Sequence, residues 1–366
     1  MSRFAVRAAA PADNDGLLRL LAVPQPASGA LLAFERAPDY FRSAAVMHEE
    51  LDVLVAERED DGRIVGMGSM GWRELWLDGV RQRVRYAADL RVAADCQGTR
   101  LVLYMNRGVR ERIGDSGWYQ SVILEDNARS RQTLEGGRAG LPIYRPDAGI
   151  ETWTLTGRRR RARLPQGLVC RVATPADVPA MNAFAAAQAA HYQFLPAYDF
   201  AALAAGHDYY RGLRLEDFLL VGDDQGLRGL VGLWNQKDFK QTRIVGYHPL
   251  LAVLRPLYNL WAQLAGALVL PPAGGTLDYL VLHSPLTRPD DQAAFDALLD
   301  AAWEAARARG AAALVLTLSD PDPRRAAMAR FRFRSLRGRH YLVAFSDAAH
   351  PQLDAGRIPY FECGRL

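Results

Sequence analysis

The run Val84–Leu134, VRYAADLRVAADCQGTRLVLYMNRGVRERIGDSGWYQSVILEDNARSRQTL, carries the organisation of the chain. Its first apolar run, Tyr86 to Val92, has the length and the aromatic and β-branched content of a strand. Asp95-Cys96-Gln97-Gly98-Thr99 breaks that strand. From Arg100 to Ile113, apolar residues recur at Leu101, Tyr104, Met105, Val109 and Ile113, which is helical spacing. Ser121 to Glu125 predicts a second short strand, and Asp126-Asn127 can cap the helix after it. A loop at a helix N-terminus offers free N–H groups and the positive end of the dipole. Flanked by Arg91 and Arg100, this one is a physical anion site.

The segment resembles the acyl-CoA-binding core of the GNAT (N-acetyltransferase) superfamily. In that family a strand ends in a V-x-P-x-x-[RQ]-x-x-G-x-[GA] loop whose amides hold a pyrophosphate, and an Asn opens the helix after the next strand. Here Val92 stands at the strand end, Gln97 at the first loop position and Asn127 at the Asn. Ala94 replaces the frequent Pro, and Arg100 and Val102 stand where the family prefers small residues, so Val102 is expected to crowd the helix against the diphosphate. The resemblance implies coenzyme A, or acetyl-CoA, held by Leu90, Arg91, Val92, Gln97, Gly98, Thr99, Arg100, Leu101, Val102, Asn127, Arg129 and Ser130. It also implies that the two strands splay and that the thioester lies in their gap.

Amine acylation requires a base or an ordered water. Asp89 is the acid within the Tyr86–Val92 strand, and Glu125 ends the neighbouring one. The family often places a Tyr acid seven residues beyond the Asn, where this chain has Leu134, and Tyr144, in the strand-like run Leu141–Tyr144, is the substitute. Asp89, Glu125 and Tyr144 are therefore the candidate catalytic residues, each also readable as an ordinary structural side chain. His191, His207, His248 and His283 show no metal-ligand spacing, and a metal is not expected. His283, at a strand end, reads first as a hydrogen-bonded core histidine.

The motif R-x-A-x-P-A-D occurs at Arg7–Asp13 and again at Arg171–Asp177, 164 residues later. A hairpin pattern, Leu54–Glu57 with Asp60–Gly66, returns as Leu219–Gly222 with Asp224–Gly232 at nearly the same offset. Gly117–Asn127 and its helix are echoed by Gly310–Asp320 and a helix through Arg324 to Phe331. Three matches in one order point to duplication of a βα unit. The expected architecture is a mixed α/β (α+β) sheet with helices on both sides, in two tandem GNAT-like domains: 1–156, acyl-CoA binding, and 168–366, degenerate, joined by an Arg-rich linker at 157–167. In the second unit Thr276–His283 is the strand, Ser284–Asp291 the loop and Ala293–Arg309 the helix. Asp290 and Asp291 at that helix start suit capping and oppose a diphosphate, so the second unit is expected to have lost the cofactor site.

The chain has 366 residues, 49% hydrophobic and 23% charged, enough for two domains and too apolar for disorder. A net charge of +4 decides little about partners. The arginines between Arg158 and Arg163 lack interleaved aromatics, which argues against nucleic acid. Three scattered cysteines and an N-terminus without an apolar core suggest a cytoplasmic protein. Leu250–Leu270 is interrupted by Arg255, Pro256, Asn259 and Gln263, too broken for the roughly 20 residues of a membrane span, and reads as a buried helix or one covering a cleft. The aromatic inserts, Pro38–Phe41, Tyr209-Tyr210 and Pro256–Trp261, read as closing the interface between halves. The expected function is an acyl-CoA-dependent N-acyltransferase acting by direct attack on a small-molecule amine or peptide. The alternative is a non-catalytic coenzyme A- or metabolite-binding scaffold. Acceptor and oligomeric state stay open.

Overall fold

The computed structural model describes residues 4–27, 29–127, 131–132, 134–137, 139–265 and 268–366. In the first half the strands are β1 (Phe4–Ala8), β2 (Gln25–Ala27), β3 (Ala30–Glu35), β4 (Glu50–Arg58), β5 (Ile64–Leu77), β6 (Val80–Val92), β7 (Trp118–Leu124) and β8 (Ile143–Arg158). The second half supplies β9 (Val169–Val172), β10 (Tyr192–Gln193), β11 (Leu195–Pro196), β12 (Phe218–Asp223), β13 (Gly226–Trp234), β14 (Gln241–Tyr247), β15 (Tyr279–Thr287), β16 (Ala313–Ser319), β17 (Phe331–Ala344) and β18 (Ile358–Pro359). The α-helices that matter are α1 (Asn14–Leu21), α2 (Tyr40–Ala44), α3 (Leu101–Ile113), α4 (Val178–Ala187), α5 (Phe200–Ala204), α6 (Pro249–Ala265) and α7 (Gln292–Ala308).

One 13-stranded sheet runs through the molecule in the order β1-β4-β5-β6-β7-β17-β8-β16-β15-β13-β12-β9, with β11 on β5. Strands of the first half form one wing and strands of the second half the other, except at the centre. There β17 lies against β7, and β8 lies against β16. Each half thus lends its last strand to the other, and the two lent strands pair with each other. Beneath the sheet one apolar cluster takes Leu17, Tyr40 and Val55 from the first half together with Met181, Phe200, Phe218 and Trp234 from the second.

The repeated heptapeptide folds the same way twice. Arg7 reaches Asp13 at 2.7 Å, and Asp13 also accepts from the Ala10 N–H. Arg171 and Asp177 pair at 2.5 Å, with Thr174 N–H donating to Asp177. In both, the carboxylate caps a Pro-Ala-Asp 3-10 turn that feeds a helix, α1 or α4. The Asp61-Gly62 hairpin uses Gly62 at φ +67° to reverse the chain.

Three expectations are corrected. Ser284–Thr287 continues strand β15 rather than forming a loop, because a bulge lets the ladder with β13 resume at Leu286. The stretch 323–330 is 3-10, with Pro323 at its start and the buried Arg324 tied to Asp322 and to the Pro285 carbonyl. Helix α6 is not buried. Leu250, Val253, Leu257 and Leu264 stand 65%, 77%, 67% and 84% exposed, while Arg255 and Asn259 turn inward to the Leu270 carbonyl. Of the aromatic inserts, Tyr40 and Tyr210 do lie in the shared core, and Trp261 does not.

Candidate active site

Strands β6 and β7 run parallel and pair only at Arg85↔Tyr119, Tyr86↔Gln120 and Ala87↔Ser121. Beyond Ala87 they part. The cause lies in β6: between Met67↔Arg91 and Ser69↔Ala88 the ladder gains one residue on β6, a bulge at Asp89-Leu90. Asp89 occupies left-handed backbone at φ +54°, strain that the surroundings must hold in place. They do so through its carboxylate, 3.1 Å from Arg36 and 3.2 Å from the Tyr40 hydroxyl, nearly buried. Burial works against the charge on Asp89, but Arg36 outweighs it, and the carboxyl sits below its ordinary range. The second half repeats the device. Strands β15 and β16 pair only at Tyr279↔Ala313 through Val281↔Val315, and Ser284, at φ +43°, marks a bulge opposite β13.

The loop that follows β6 is open. Ala94–Cys96 form a 3-10 turn, and Gly98 at φ +81° swings the chain into α3. A Cβ built at Gly98 meets nothing within 4 Å. Gln97, Gly98, Thr99 and Arg100 are exposed. Thr99 steadies the turn, donating to the Cys96 carbonyl at 2.6 Å and accepting from the Leu101 N–H. Leu101 and Val102 point inward. Leu101 is fully buried beside Ala56, Val65 and Met105, and Val102 packs on the cluster of Ile113 and Ile123. The expected crowding by Val102 is therefore turned into the core, and the first N–H groups of the 13-residue α3 are left at the rim of the loop. The gap beside the loop and the open cradle at Gly98 fit an acyl-CoA diphosphate.

The other sequence-derived residues scatter. Leu90 and Arg91 lie on the bulged stretch of β6, Leu90 partly exposed, and Val92 ends the strand. Asn127 closes the turn after β7, its N–H on the Leu124 carbonyl. Arg129 and Ser130 lie outside the described residues. Glu125 turns to β17, its carboxylate 3.4 Å from Arg337 and its N–H on the Arg337 carbonyl. Tyr144 packs edge-on to Tyr341 at 5.6 Å in an apolar cluster with Tyr119 and Leu134, and burial lifts its hydroxyl to about 12. The structure thus brings Asp89 and residues 90–102 to one gap, and directs Glu125 and Tyr144 elsewhere. The interdomain arginines also have partners: Arg158 and Arg161 both reach Glu304 of α7.

Sequence reading missed the far side of the gap. Opposite α3, a cavity of about 20 Å³ is bordered by Tyr86 and Gln120 at the last paired steps of β6 and β7, with His340, Glu362 and Arg365 across it. These residues are distant in sequence and share no motif. The C-terminal segment reaches this place because β18 pairs with β10, and Glu362 then accepts from the Ser284 N–H at 2.8 Å. The bulge amide of the second half is thereby occupied by a side chain. Lys240 donates to the Leu366 carbonyl at 2.9 Å, and burial, with Arg36 nearby, brings its ammonium down to about 7. His283 is a core histidine. Its ring sits among Tyr198, Tyr210, Phe218 and Trp234, and burial, then Arg365, keeps it neutral. Among the described residues no cluster could hold a metal ion, and no helix is long and apolar enough to cross a membrane.

No family model and no curated protein sequence matches the chain. Solved structures do. A GCN5-related N-acetyltransferase from Sphaerobacter thermophilus aligns over 97% of this chain and 98% of its own, with TM-score 0.58 at 17% identity. The N-myristoyltransferase of Saccharomyces cerevisiae, solved with myristoyl-CoA, aligns over 93% and 83%, with TM-score 0.56 at 11% identity. A GCN5-related N-acetyltransferase from Anabaena variabilis aligns over 95% and 74%, with TM-score 0.50 at 13% identity. The bulged, splayed strands and the loop-to-helix turn, with these likenesses along nearly the whole chain, establish that the protein has the GNAT fold.

Proposed function

We propose that the protein is an acyl-CoA-dependent N-acyltransferase, with acetyl-CoA as donor and a small-molecule or peptide amine as acceptor. One observation carries this reading: the strand gap opened by the Asp89 bulge leads directly to the unobstructed Gly98 turn and the N-terminus of α3. The bound myristoyl-CoA of the yeast neighbour supports an acyl-CoA donor for this fold. The donor supplies the activated acyl group. Main-chain N–H groups at 98–103 would hold its diphosphate, with Arg100 adding a charge-assisted bond. An N–H of the Leu90–Val92 stretch would face the thioester carbonyl and stabilise negative charge developing there. Asp89 keeps that stretch in its bulged form through Arg36 and Tyr40.

The chain is read as two tandem GNAT-like units, of which the first binds the donor. In the second, Glu362 covers the bulge amide, and Asp291 caps α7 at Ala294 while pairing with Arg228. A carboxylate at each place where a diphosphate or a carbonyl would need a donor supports a lost site. Isothermal titration with acetyl-CoA tests the proposal. Saturable binding at one site per chain is expected, and no heat at millimolar ligand overturns it.

A further inference from the structure

His340 is buried on β17, level with Val122 of β7, one strand from the gap. Opposite it the ladder between β17 and β8 slips, because Arg339 pairs with Gly149 and Tyr341 with Pro146. The extra residue on β8 is a bulge, and it delivers the Asp147 carboxylate to 2.8 Å from His340 Nδ1. Phe194 and Phe361 hold the ring at centroid distances of 4.9 and 4.7 Å. With Nδ1–H donating to Asp147, Nε2 carries the lone pair. Nε2 is buried and has no protein partner. Three further buried polar atoms on the same cavity lack partners: Gln120 Nε2, Glu362 Oε1 and Arg365 Nε. Each would cost about 1–3 kcal/mol if left unmet, so four together mark a place built for a polar ligand.

We propose that this cavity receives the reacting amine of the acceptor and that His340, oriented by Asp147, takes its proton. The inference rests on the acyltransferase reading above. Its chemistry defines the acceptor: a primary amine carrying an oxygen on a neighbouring carbon. The amine nitrogen donates to His340 Nε2 and Glu362 Oε1, and the oxygen accepts from Gln120 or Arg365. In the reaction the nitrogen forms a bond to the thioester carbonyl carbon, and the carbon–sulfur bond breaks. The nitrogen's proton passes to His340 Nε2, and the sulfur leaves as the thiolate of coenzyme A, which His340 or solvent then reprotonates. Asp89 is not the base, because Arg36 and Tyr40 already occupy both of its oxygens.

The test follows coenzyme A release from acetyl-CoA with ethanolamine and with n-propylamine, which lacks the oxygen. Wild type is expected to use ethanolamine at least tenfold faster. H340A should lower kcat about 100-fold or more, leave the acetyl-CoA Kd unchanged, and regain activity with added imidazole. H340F, which refills the ring volume, should be equally slow and not respond to imidazole. D147N, a positioning variant, should lower kcat about tenfold without moving KM. Wild-type rate retained in H340A, no rescue by imidazole, or no discrimination between the two amines overturns the inference. So does release with neither amine while acetyl-CoA still binds. Absence of acetyl-CoA binding in wild type instead overturns the acyltransferase reading itself.

A second, independent observation concerns α6. Leu250, Leu257 and Leu264, with Val253 and Leu260 between them, follow a seven-residue repeat along its exposed face, and Leu254 and Trp261 widen the stripe. That is the seam of a coiled coil turned to solvent. Together these side chains present roughly 800 Å², the share each partner gives to a standard interface. We infer that two copies of the chain pair through α6, antiparallel about a twofold axis. Light scattering after gel filtration should give twice the chain mass, and L257D/L264D should give the monomer mass with an unchanged circular dichroism spectrum. A monomeric wild type at micromolar concentration overturns this, as does a monomer that floats with phosphatidylcholine vesicles.

Discussion

Gly98 shows how much can depend on one residue. Its turn needs φ +81°, which costs an L-residue about 1 kcal/mol or more, yet a side chain there would meet no neighbour. G98A is therefore expected to lower stability only slightly and to weaken acetyl-CoA binding about tenfold, measured by titration calorimetry, because the amides re-aim. Lys240 gives a pH signature. Its folded value of about 7 lies below the ordinary 10.5, so between these the unfolded chain keeps a proton that the folded chain has released. Stability from this group rises with pH across that window. K240M should melt above wild type at pH 6.5, and its advantage should shrink steadily toward pH 10 in calorimetric scans. Asp89 was legible as an acid near the gap. Its partners were not, because Arg36 and Tyr40 are about fifty residues away and reach it only after β3 and α2 have packed.

At the scale of elements, local sequence was a good guide wherever a turn or cap is built from neighbours. The R-x-A-x-P-A-D motif is visible in the chain because Arg and Asp six residues apart complete the device by themselves. Removing the cap carboxylate in D177A should cost about 1 kcal/mol by urea titration, and D13A should behave alike. Helix α6 went the other way. Its apolar pattern was read as burial, but periodicity gives only the direction of a stripe and not what it faces. Here the polar side chains Arg255 and Asn259 find their acceptor inside, at the Leu270 carbonyl, and the leucines are left outside. Strand β15 was cut short in the sequence reading because Pro285 lies within it, and a bulge at that point accommodates the missing N–H.

For the whole molecule, the exchange of β8 and β17 ties the halves together. Without β17, β7 has an open edge, and without β8 so has β16. A chain ending at residue 165 and one beginning at 166 should each aggregate when expressed alone. Co-expression should recover soluble protein that co-elutes, and soluble, cooperatively melting separate halves would contradict this. The shared core predicts the same, since Tyr40 and Trp234 belong to one cluster.

By itself the sequence determined the strand–loop–helix unit around residues 84–134, the hairpins, the repeated cap and hence the class of fold. These depend on contacts between residues close in the chain, which composition and spacing encode directly. Tertiary structure alone decided which side chains meet at the far side of the gap. Gln120, His340 with Asp147, and Glu362 converge because strands from both halves are interleaved and a β-bulge re-aims one carboxylate. Such a meeting is fixed by packing across about two hundred residues, and no local pattern records it.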